Sequence, residues 1–308
     1  MKDTKIQWCD SSVNPTGFQC DGCELWLPAK GVKKCYAGRF AERVGGVGAF
    51  DKPIQLKPGR MAEAARWGNL RGKARAVKPW IPTNYPRLVF IGDMADTFSR
   101  GVPFEYLKTE VTDTVRRWPH IGLWLTKQPK RMAEFSDWLL KAEGGANWLG
   151  NLWAGTTVTS PDKLYRIVDL GEVGDFFTTR FVSFEPLLGK GDWTPLHNLL
   201  AEAAESLQSL LDWAIIGGES GHGAGATDLA SMAELISILT NAGVKVFVKQ
   251  LGSRPVRRAE DEPFERIVKS KLDGTAGGHE ALPMDKKGGD WSEWPSDFQR
   301  REFPVLDL

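Results

Sequence analysis

Three cysteines near the N-terminus have the type and spacing of a metal-binding site. Two residues separate Cys20 from Cys23, so a turn through Gly22 would bring both sulfurs to one side, and Cys35 follows after eleven residues. All four cysteines of the chain lie within its first 35 residues, whereas thiols that only fill a core would be scattered. Three thiolates suit an iron–sulfur cluster with one open iron, or a zinc ion that has a fourth ligand.

A zinc ion would take its fourth ligand from Cys9 or from a histidine. The histidines are His120, His197, His222 and His279. We expect Cys9, within the segment 7–10, to be a small buried thiol of a first short strand, because free cysteine is commonly buried. We therefore predict Cys20, Cys23 and Cys35 as the metal ligands and favour an iron–sulfur cluster over zinc.

Six short apolar runs follow from residue 88 onward, about 30 residues apart, which is the length of one strand and one crossover helix. They begin at Leu88, Ile121, Asn151, Arg180, Trp213 and Val244. Apolar residues at helical spacing occupy 104–118, 201–211 and 228–241 between them. The repeat predicts an α/β fold whose parallel sheet is covered on both faces. A doubly wound open sheet and a closed or partial barrel both satisfy it.

Charged or hydroxyl side chains follow nearly every run, and sites in parallel α/β folds form at the carboxyl ends of strands. These residues include Asp93, Asp96, Lys127, Glu185, Glu219, Ser220 and Lys249. Six polar strand ends in succession favour a functional rim over simple capping. In the loop 217–221 the glycines lack the spacing of a P-loop or a nucleophile elbow. We expect the glycine backbone to approach a ligand closely, with Glu219 as a hydrogen-bond acceptor; the alternative is a tight turn with a helix cap.

Basic residues concentrate in one part of the chain, although the net charge is only +1. Between Lys30 and Arg87 there are 14 Lys/Arg and three Asp/Glu, interleaved with aromatic residues. Between Gly191 and Val244 there are seven Asp/Glu and no Lys or Arg. The basic segment could track DNA or RNA, or it could be a solvated insertion that happens to be basic, and the sequence leaves both open.

The periodic pattern places residues 1–253 in one α/β domain with an irregular basic insertion at about 45–87. We expect residues 254–308 to form a C-terminal extension packed on that domain through aromatic anchors. The N-terminus leads into no apolar stretch, and no window approaches the roughly 20 apolar residues that span a bilayer. We therefore expect a cytoplasmic protein without a membrane segment, in a compartment where thiols stay reduced.

Several motifs occur in an order that resembles a known family. They are Asn14-Pro15, Cys35-Tyr36-Ala37, Leu125-Thr126-Lys127, Ser183-Phe184-Glu185-Pro186, Gly217-Gly218-Glu219-Ser220-Gly221, Lys249-Gln250 and Asp290-Trp291-Ser292-Glu293-Trp294-Pro295. Together they resemble a phage-associated three-cysteine family of unknown function, which looks like a branch of the radical S-adenosylmethionine (radical SAM) superfamily near spore photoproduct lyase. The cysteines depart from the usual spacing, because the close pair comes first and Val32 stands where a cysteine is expected.

The resemblance implies a partial parallel (β/α)6 barrel of radical SAM type. It also implies a [4Fe–4S] cluster on the three cysteines, with S-adenosylmethionine bound at the open iron. By the same resemblance Asp93, Asp96 and Lys127 would hold S-adenosylmethionine, with Glu185 and Glu219 further round the rim. We add Tyr36 and Ser220, which belong to these motifs, as cofactor-binding residues.

Lys127, Glu219 and Lys249 are predicted as catalytic residues. A lysine at a strand end can bind a carboxylate or a phosphate, and Glu219 can accept a hydrogen bond. Phage association and the basic segment together suggest a nucleic acid or nucleotide substrate. DNA, RNA and a phage-encoded protein are therefore the partners to consider. The alternative function is a zinc-stabilised protein that binds nucleic acid or a partner without catalysis.

Overall fold

The computed structural model describes residues 3–144, 149–174, 179–205, 209–221, 223–256 and 285–306. Its strands are β1 (Ser11–Val13), β2 (Trp26–Leu27), β3 (Val32–Lys33), β4 (Leu88–Ile91), β5 (Ile121–Thr126), β6 (Leu152–Thr157), β7 (Arg180–Leu187), β8 (Trp213–Gly218), β9 (Thr227–Asp228), β10 (Lys245–Gln250) and β11 (Pro255–Val256). Its α-helices are α1 (Tyr36–Gly45), α2 (Arg60–Ala65), α3 (Phe104–Tyr106), α4 (Asp113–Val115), α5 (Pro129–Glu143), α6 (Tyr165–Gly171), α7 (Thr194–Glu205) and α8 (Leu229–Asn241).

The main sheet has seven strands in the order β1-β4-β5-β6-β7-β8-β10. The order follows the chain without a reversal, whereas a doubly wound sheet reverses at its switch point. The pairs β1–β4, β4–β5, β5–β6, β7–β8 and β8–β10 are all parallel. The predicted mixed α/β fold with a parallel sheet is therefore confirmed. The strand order favours the partial barrel over the doubly wound alternative, with seven strands where the resemblance implied six.

The six predicted strands match β4 to β8 and β10, but two other boundaries differ. The first strand begins at Ser11, so the segment 7–10 precedes it; Cys9 is fully buried there, as expected. The helix expected at 201–211 starts earlier, at Thr194, where the Asp192 carboxylate accepts a hydrogen bond from the Thr194 N–H (3.0 Å). The expected helix at 104–118 is present as α3, a π-helical segment (Leu107–Thr112) and α4.

The chain forms two compact units. Unit 1 comprises Met1–Thr156 and Arg166–Arg180, and unit 2 comprises Thr157–Tyr165 and Phe181–Leu308. In unit 1 the aromatic core of β5 and α5 includes Trp124, which lies 4.6 Å from Phe98 between ring centroids. In unit 2 Phe303 packs against Trp213 and Phe247, at 5.3 and 5.5 Å. The sequence-based division at residue 253 stays a prediction.

Part of the basic segment is built into the fold. Arg75 is buried and donates to both carboxylate oxygens of Asp10, at 2.8 and 3.1 Å. Lys78 is also buried and donates to the carbonyl oxygens of Thr4 and Cys9. These cations hold the N-terminal residues next to β1, so they are not available to a polyanion. None of the described helices has the length and apolar character needed to cross a membrane.

Candidate functional site

A short β-hairpin closes the gap between Cys23 and Cys35. Strands β2 and β3 pair antiparallel, with Trp26 opposite Lys33. Cys23 precedes the first strand, and its carbonyl accepts the Trp26 N–H at 2.8 Å. Cys35 follows the second strand, and its N–H donates to the Leu25 carbonyl at 2.9 Å. Two cysteines with eleven residues between them therefore lie together at the base of one hairpin.

Trp26 anchors this hairpin under helix α1. The ring is buried against Phe50 and two alanines of α1, and its Nε1–H donates to Asp51 at 2.8 Å. Gly38 makes this packing feasible, because a Cβ at that position would lie 2.5 Å from the indole ring. Cys20 and Cys35 pack against the same cluster. Cys20 and Cys35 are therefore supported by a hydrophobic cluster and do not lie on an isolated loop.

The segment around Cys20 is tied to the carboxyl ends of β4 and β5. Asp21 accepts the Arg100 N–H at 2.6 Å and the Gln128 side-chain amide at 3.2 Å. Gly22 has φ of 87°, a left-handed conformation that glycine adopts without strain. The turn between the close pair of cysteines therefore has the residue type predicted for it.

A buried ion pair fixes the other end of the cysteine segment. Both carboxylate oxygens of Glu24 accept hydrogen bonds from Arg166 of α6, each at 2.9 Å. The two side chains are 18% and 6% exposed, respectively, so water screens the pair only weakly. The bidentate geometry orients Glu24 one residue after Cys23.

Asp96 organises the end of β5. Its Oδ1 accepts the Thr126 hydroxyl at 2.7 Å, and its Oδ2 accepts the Lys127 N–H at 2.8 Å. Asp96 also accepts the Phe98 N–H at 3.0 Å. A carboxylate with three donors is held firmly, so Asp96 positions the backbone from which the Lys127 side chain projects.

Asp93 and Tyr36 meet next to this strand end. Asn14 donates to the Asp93 carboxylate at 2.6 Å and accepts the Met94 N–H at 3.0 Å. The Tyr36 hydroxyl donates to the Asp93 carbonyl oxygen. Burial raises the pKa of Asp93, although the hydrogen bonds from Asn14 and Ser12 oppose the rise. Asn14 therefore has a structural role that links the first strand to the loop after β4.

The charges at the cysteines influence one another. Burial raises the pKa of Cys20 to about 12, and Asp96 adds to the rise, while the backbone N–H groups of Gly22 and Asp96 oppose it. Burial also raises the pKa of Cys23, and the positive charge of Lys127 opposes that rise. Burial lowers the pKa of Lys127, but Cys23, Cys35 and nearby carboxylates outweigh it, so the pKa lies above its ordinary value. A metal that binds these thiols must displace their protons.

A cavity of about 480 Å³ opens at this place, within the size range of ligand pockets. It is lined by Cys20, Asp21, Gly22, Cys23, Asp96, Arg100, Lys127, Gln128 and Arg166. The lining includes three cations and the two acids Asp21 and Asp96, and one of the cations, Arg166, is paired with Glu24. Cys20, Cys23 and Cys35 are free thiols.

Three cysteine thiolates are suitable ligands for an iron–sulfur cluster, but their sulfur atoms do not lie close enough together to bind one in this structure. Among the described residues, no three His, Cys, Asp or Glu side chains stand close enough together to hold a metal ion as they are. Backbone N–H groups directed at the sulfurs of Cys20 and Cys23 are the kind of contact that tunes cluster thiolates. Loading a cluster would therefore require the three sulfurs to move closer together.

The remaining predicted site residues belong to unit 2. Glu185 precedes a cis peptide bond to Pro186 and forms an ion pair with Lys249. Glu219 is buried and accepts the Gly225 N–H at 3.0 Å, while Ser220 follows it half-buried. The ligand-binding and catalytic roles assigned to these four residues stay predictions.

The glycines of the loop 217–221 have a packing reason within unit 2. A Cβ on Gly217 would lie 3.2 Å from Cγ of Glu185, and a Cβ on Gly218 would lie 2.4 Å from the Leu251 carbonyl oxygen. Gly218 therefore allows β8 to approach the chain after β10. The expected approach of a ligand to these glycines stays a prediction.

The structure brings the N-terminal part of the predicted site together. Cys20, Cys23, Asp96 and Lys127 line one cavity, and Tyr36 contacts Asp93 beside it. Other lining or supporting residues were not among the predicted site residues, namely Asp21, Glu24, Arg100, Gln128 and Arg166, and Asn14 was noted only within a family motif. Asp21 and Glu24 could have been suspected from their position beside the cysteines. Arg166 carries no such signal, because it lies in a helix far along the chain.

The histidines do not join this cavity where they are described. His120 is fully buried near β5, and His197 is exposed on α7. His222 and His279 lie outside the described residues. A fourth zinc ligand from His222 or His279 therefore stays untested.

Comparison with known proteins gives a family. A family model described as a protein of unknown function (DUF5131) matches residues 3–283. The chain belongs to the DUF5131 family. This match confirms a family of unknown function over most of the chain, and it does not test the resemblance to radical SAM enzymes. Searches of curated proteins and of solved structures returned no match.

Proposed function

We propose that this chain is a radical SAM-like enzyme whose [4Fe–4S] cluster is held by Cys20, Cys23 and Cys35. The observation that carries the proposal is the shared cavity of two of these thiols with Asp96 and Lys127, at the carboxyl ends of β4 and β5. Cys35 belongs with them because the hairpin brings it to Cys23. When bound, such a cluster supplies the electron that splits a sulfur–carbon bond of S-adenosylmethionine and so generates a hydrogen-abstracting radical.

The chain's own residues have separate tasks in this proposal. Lys127 places a positive charge beside Cys23 and Cys35 and offsets the negative charge of their thiolates. Asp96 holds the backbone of Lys127 and the hydroxyl of Thr126. Arg100 lines the cavity as a further cation suited to the carboxylate of S-adenosylmethionine, whereas Arg166 is paired with Glu24. The substrate proposed for this enzyme is a nucleic acid or a nucleotide.

Reductive cleavage of S-adenosylmethionine tests the proposal. Protein reconstituted anaerobically with iron and sulfide, then reduced, should form 5′-deoxyadenosine from S-adenosylmethionine. Cys23→Ala should lower this product to background, whereas Cys9→Ala should retain it, because Cys9 is buried beside β1 and outside the cavity. Adding single-stranded DNA, RNA or nucleotides in parallel reactions should reveal a modified product.

Two results would count against the proposal. An iron-loaded protein that forms no 5′-deoxyadenosine is not a radical SAM enzyme. A protein that cleaves S-adenosylmethionine but neither binds nor alters nucleic acids or nucleotides retains the reaction and loses the proposed substrate.

A further inference from the structure

Helix α1 exposes an unusual combination of side chains directly after Cys35. Tyr36, Phe40 and Val44 are 57%, 40% and 65% exposed, and Val47 beyond the helix is 90% exposed. Arg39 and Arg43 are exposed on the same helix. Scattered apolar residues on a surface are ordinary, but a contiguous group marks an interaction site. Helix α1 thus exposes a row of apolar side chains, two of them aromatic, beside the cations Arg39 and Arg43.

Helical geometry shows that these residues share one face. Each residue advances about 100° around the helix, so Arg39 and Arg43 lie on one side of Tyr36, and Phe40 and Val44 on the other. The opposite face carries Ala37, Gly38 and Ala41, which are buried on the hairpin. The helix therefore buries its small residues and turns its aromatic and basic residues outward.

The row of rings continues beyond the helix. Phe18 meets Phe40 edge-to-face with ring centroids 5.9 Å apart, and the Lys57 ammonium lies over the Phe18 ring at 4.3 Å. At the other end the Tyr36 hydroxyl contacts Asp93, next to the cavity of the cysteines. Glu42, the acid of this helix, is bound by Lys33 at 2.7 Å, so its charge is locally compensated.

We propose that this exposed face of α1, with Phe18 and Lys57, binds single-stranded nucleic acid. The inference deepens the proposed function, since it names the surface that would lead a substrate to the cysteine cavity. Aromatic rings interleaved with cations are the combination that binds unpaired bases by stacking and the phosphate backbone by charge. Other members of the basic segment, Arg75, Lys78, Phe50 and Tyr85, are buried and therefore cannot contribute to such a surface.

Two other partners fit the surface less well. An acidic protein would engage the arginines but would have no particular use for the flat faces of Tyr36 and Phe40. A duplex hides its bases, so it would contact the cations alone. Single strands use both features, and we therefore expect them to bind more tightly than a duplex of the same sequence.

Fluorescence anisotropy with a labelled single-stranded DNA or RNA of about 12 nucleotides tests the surface in the full-length protein. Phe40→Ala should weaken binding at least fivefold, and Phe40→Leu should also weaken it while keeping an apolar contact with Phe18. Arg43→Ala should weaken binding and make it less sensitive to salt. Tyr165→Ala and Lys141→Ala remove an exposed ring and an exposed cation elsewhere, and both should bind as the unchanged protein does.

The outcomes separate this surface from the cluster. Binding that depends on Phe40 in metal-free protein supports the surface even if no cluster can be loaded. Wild-type affinity in both Phe40 variants, or equal affinity for duplex and single strand, would overturn the proposal. Equal binding of polyglutamate would also overturn it and point to an acidic protein partner.

Discussion

Lys127 directly follows β5 and lies close to the cysteine thiols. Its side chain lines the cavity, and Cys23 and Cys35 are the largest contributors that raise its pKa. The same charge opposes the rise that burial causes in the pKa of Cys23. Cys20 differs, because burial, Asp96 and backbone N–H groups dominate its pKa. The two thiols of the close pair should therefore respond differently to the loss of Lys127.

Replacing Lys127 by Met should slow the alkylation of Cys23 in the metal-free protein. Without the positive charge the pKa of Cys23 rises further, so at a fixed pH near 8 less thiolate is present to react. We expect a severalfold lower rate at Cys23 and a pH profile displaced to higher pH, followed by mass spectrometry with iodoacetamide.

Cys20 in the same protein is the internal control, and its rate should change little. Lys141→Met, which removes an exposed lysine of α5, should leave the rates at both cysteines unchanged. An equal or faster rate at Cys23 in Lys127→Met would contradict the electrostatic role of Lys127.

At the scale of elements, the segment before β4 is part of the structural core as well as an insertion. Arg75 and Asp10 are each 6% exposed, and Asp10 also accepts the Leu88 N–H at 2.9 Å. Arg75 donates further to the carbonyl oxygens of Pro82, Tyr85 and Pro86. One guanidinium thus joins the basic segment to β1 and β4.

Arg75→Met should lower the free energy of unfolding by about 3–5 kcal/mol, because it leaves the Asp10 carboxylate buried without its partner. Urea unfolding followed by circular dichroism measures this change. Arg71→Met, an exposed neighbour in the same segment, should change stability by less than about 0.5 kcal/mol. Similar effects of the two substitutions would show that the basic segment does not stabilise the fold through this ion pair.

The sequence predicted the strands of this fold better than its long-range contacts. A strand such as β5 can be predicted from a continuous apolar run that ends in a polar residue, because this pattern is local in the sequence. The helix that begins at Thr194 was predicted to begin at residue 201, because the prediction used apolar spacing alone and did not consider the hydrogen bond between Asp192 and the Thr194 N–H. The pairing of Glu24 with Arg166 could not be predicted, since it joins residues 142 positions apart and depends on the packing of α6. The close packing of the Trp26 ring on Gly38 could not be predicted either, for the same reason.

The whole molecule distributes its charge and its chemistry unevenly. The cysteine cavity, the basic segment and the exposed face of α1 all belong to unit 1. Unit 2 contains the acidic stretch and the described C-terminal residues, in which the Arg301 guanidinium lies over the rings of Trp291 and Trp294, at 4.9 and 5.6 Å. The Glu302 N–H donates a hydrogen bond to the Val246 carbonyl at 3.0 Å, which joins the C-terminal residues to β10.

Phe303→Ala should destabilise unit 2 selectively. The ring is nearly buried between Trp213 and Phe247, and removing it leaves a cavity that costs roughly 3–5 kcal/mol. Hydrogen exchange should show lost protection in β8 and β10, with β4 and β5 protected as before. Val305→Ala, at a position 80% exposed, should change neither. Equal loss of protection in β4 and β5 would mean that the two units unfold together.

Metal content is the most direct test of the central claim that three cysteines hold a cluster. Protein purified without oxygen should contain about four irons and absorb near 400 nm, and each of Cys20→Ala, Cys23→Ala and Cys35→Ala should lose the iron while Cys9→Ala keeps it. One zinc per chain with no iron, or full iron content in Cys23→Ala, would contradict the account.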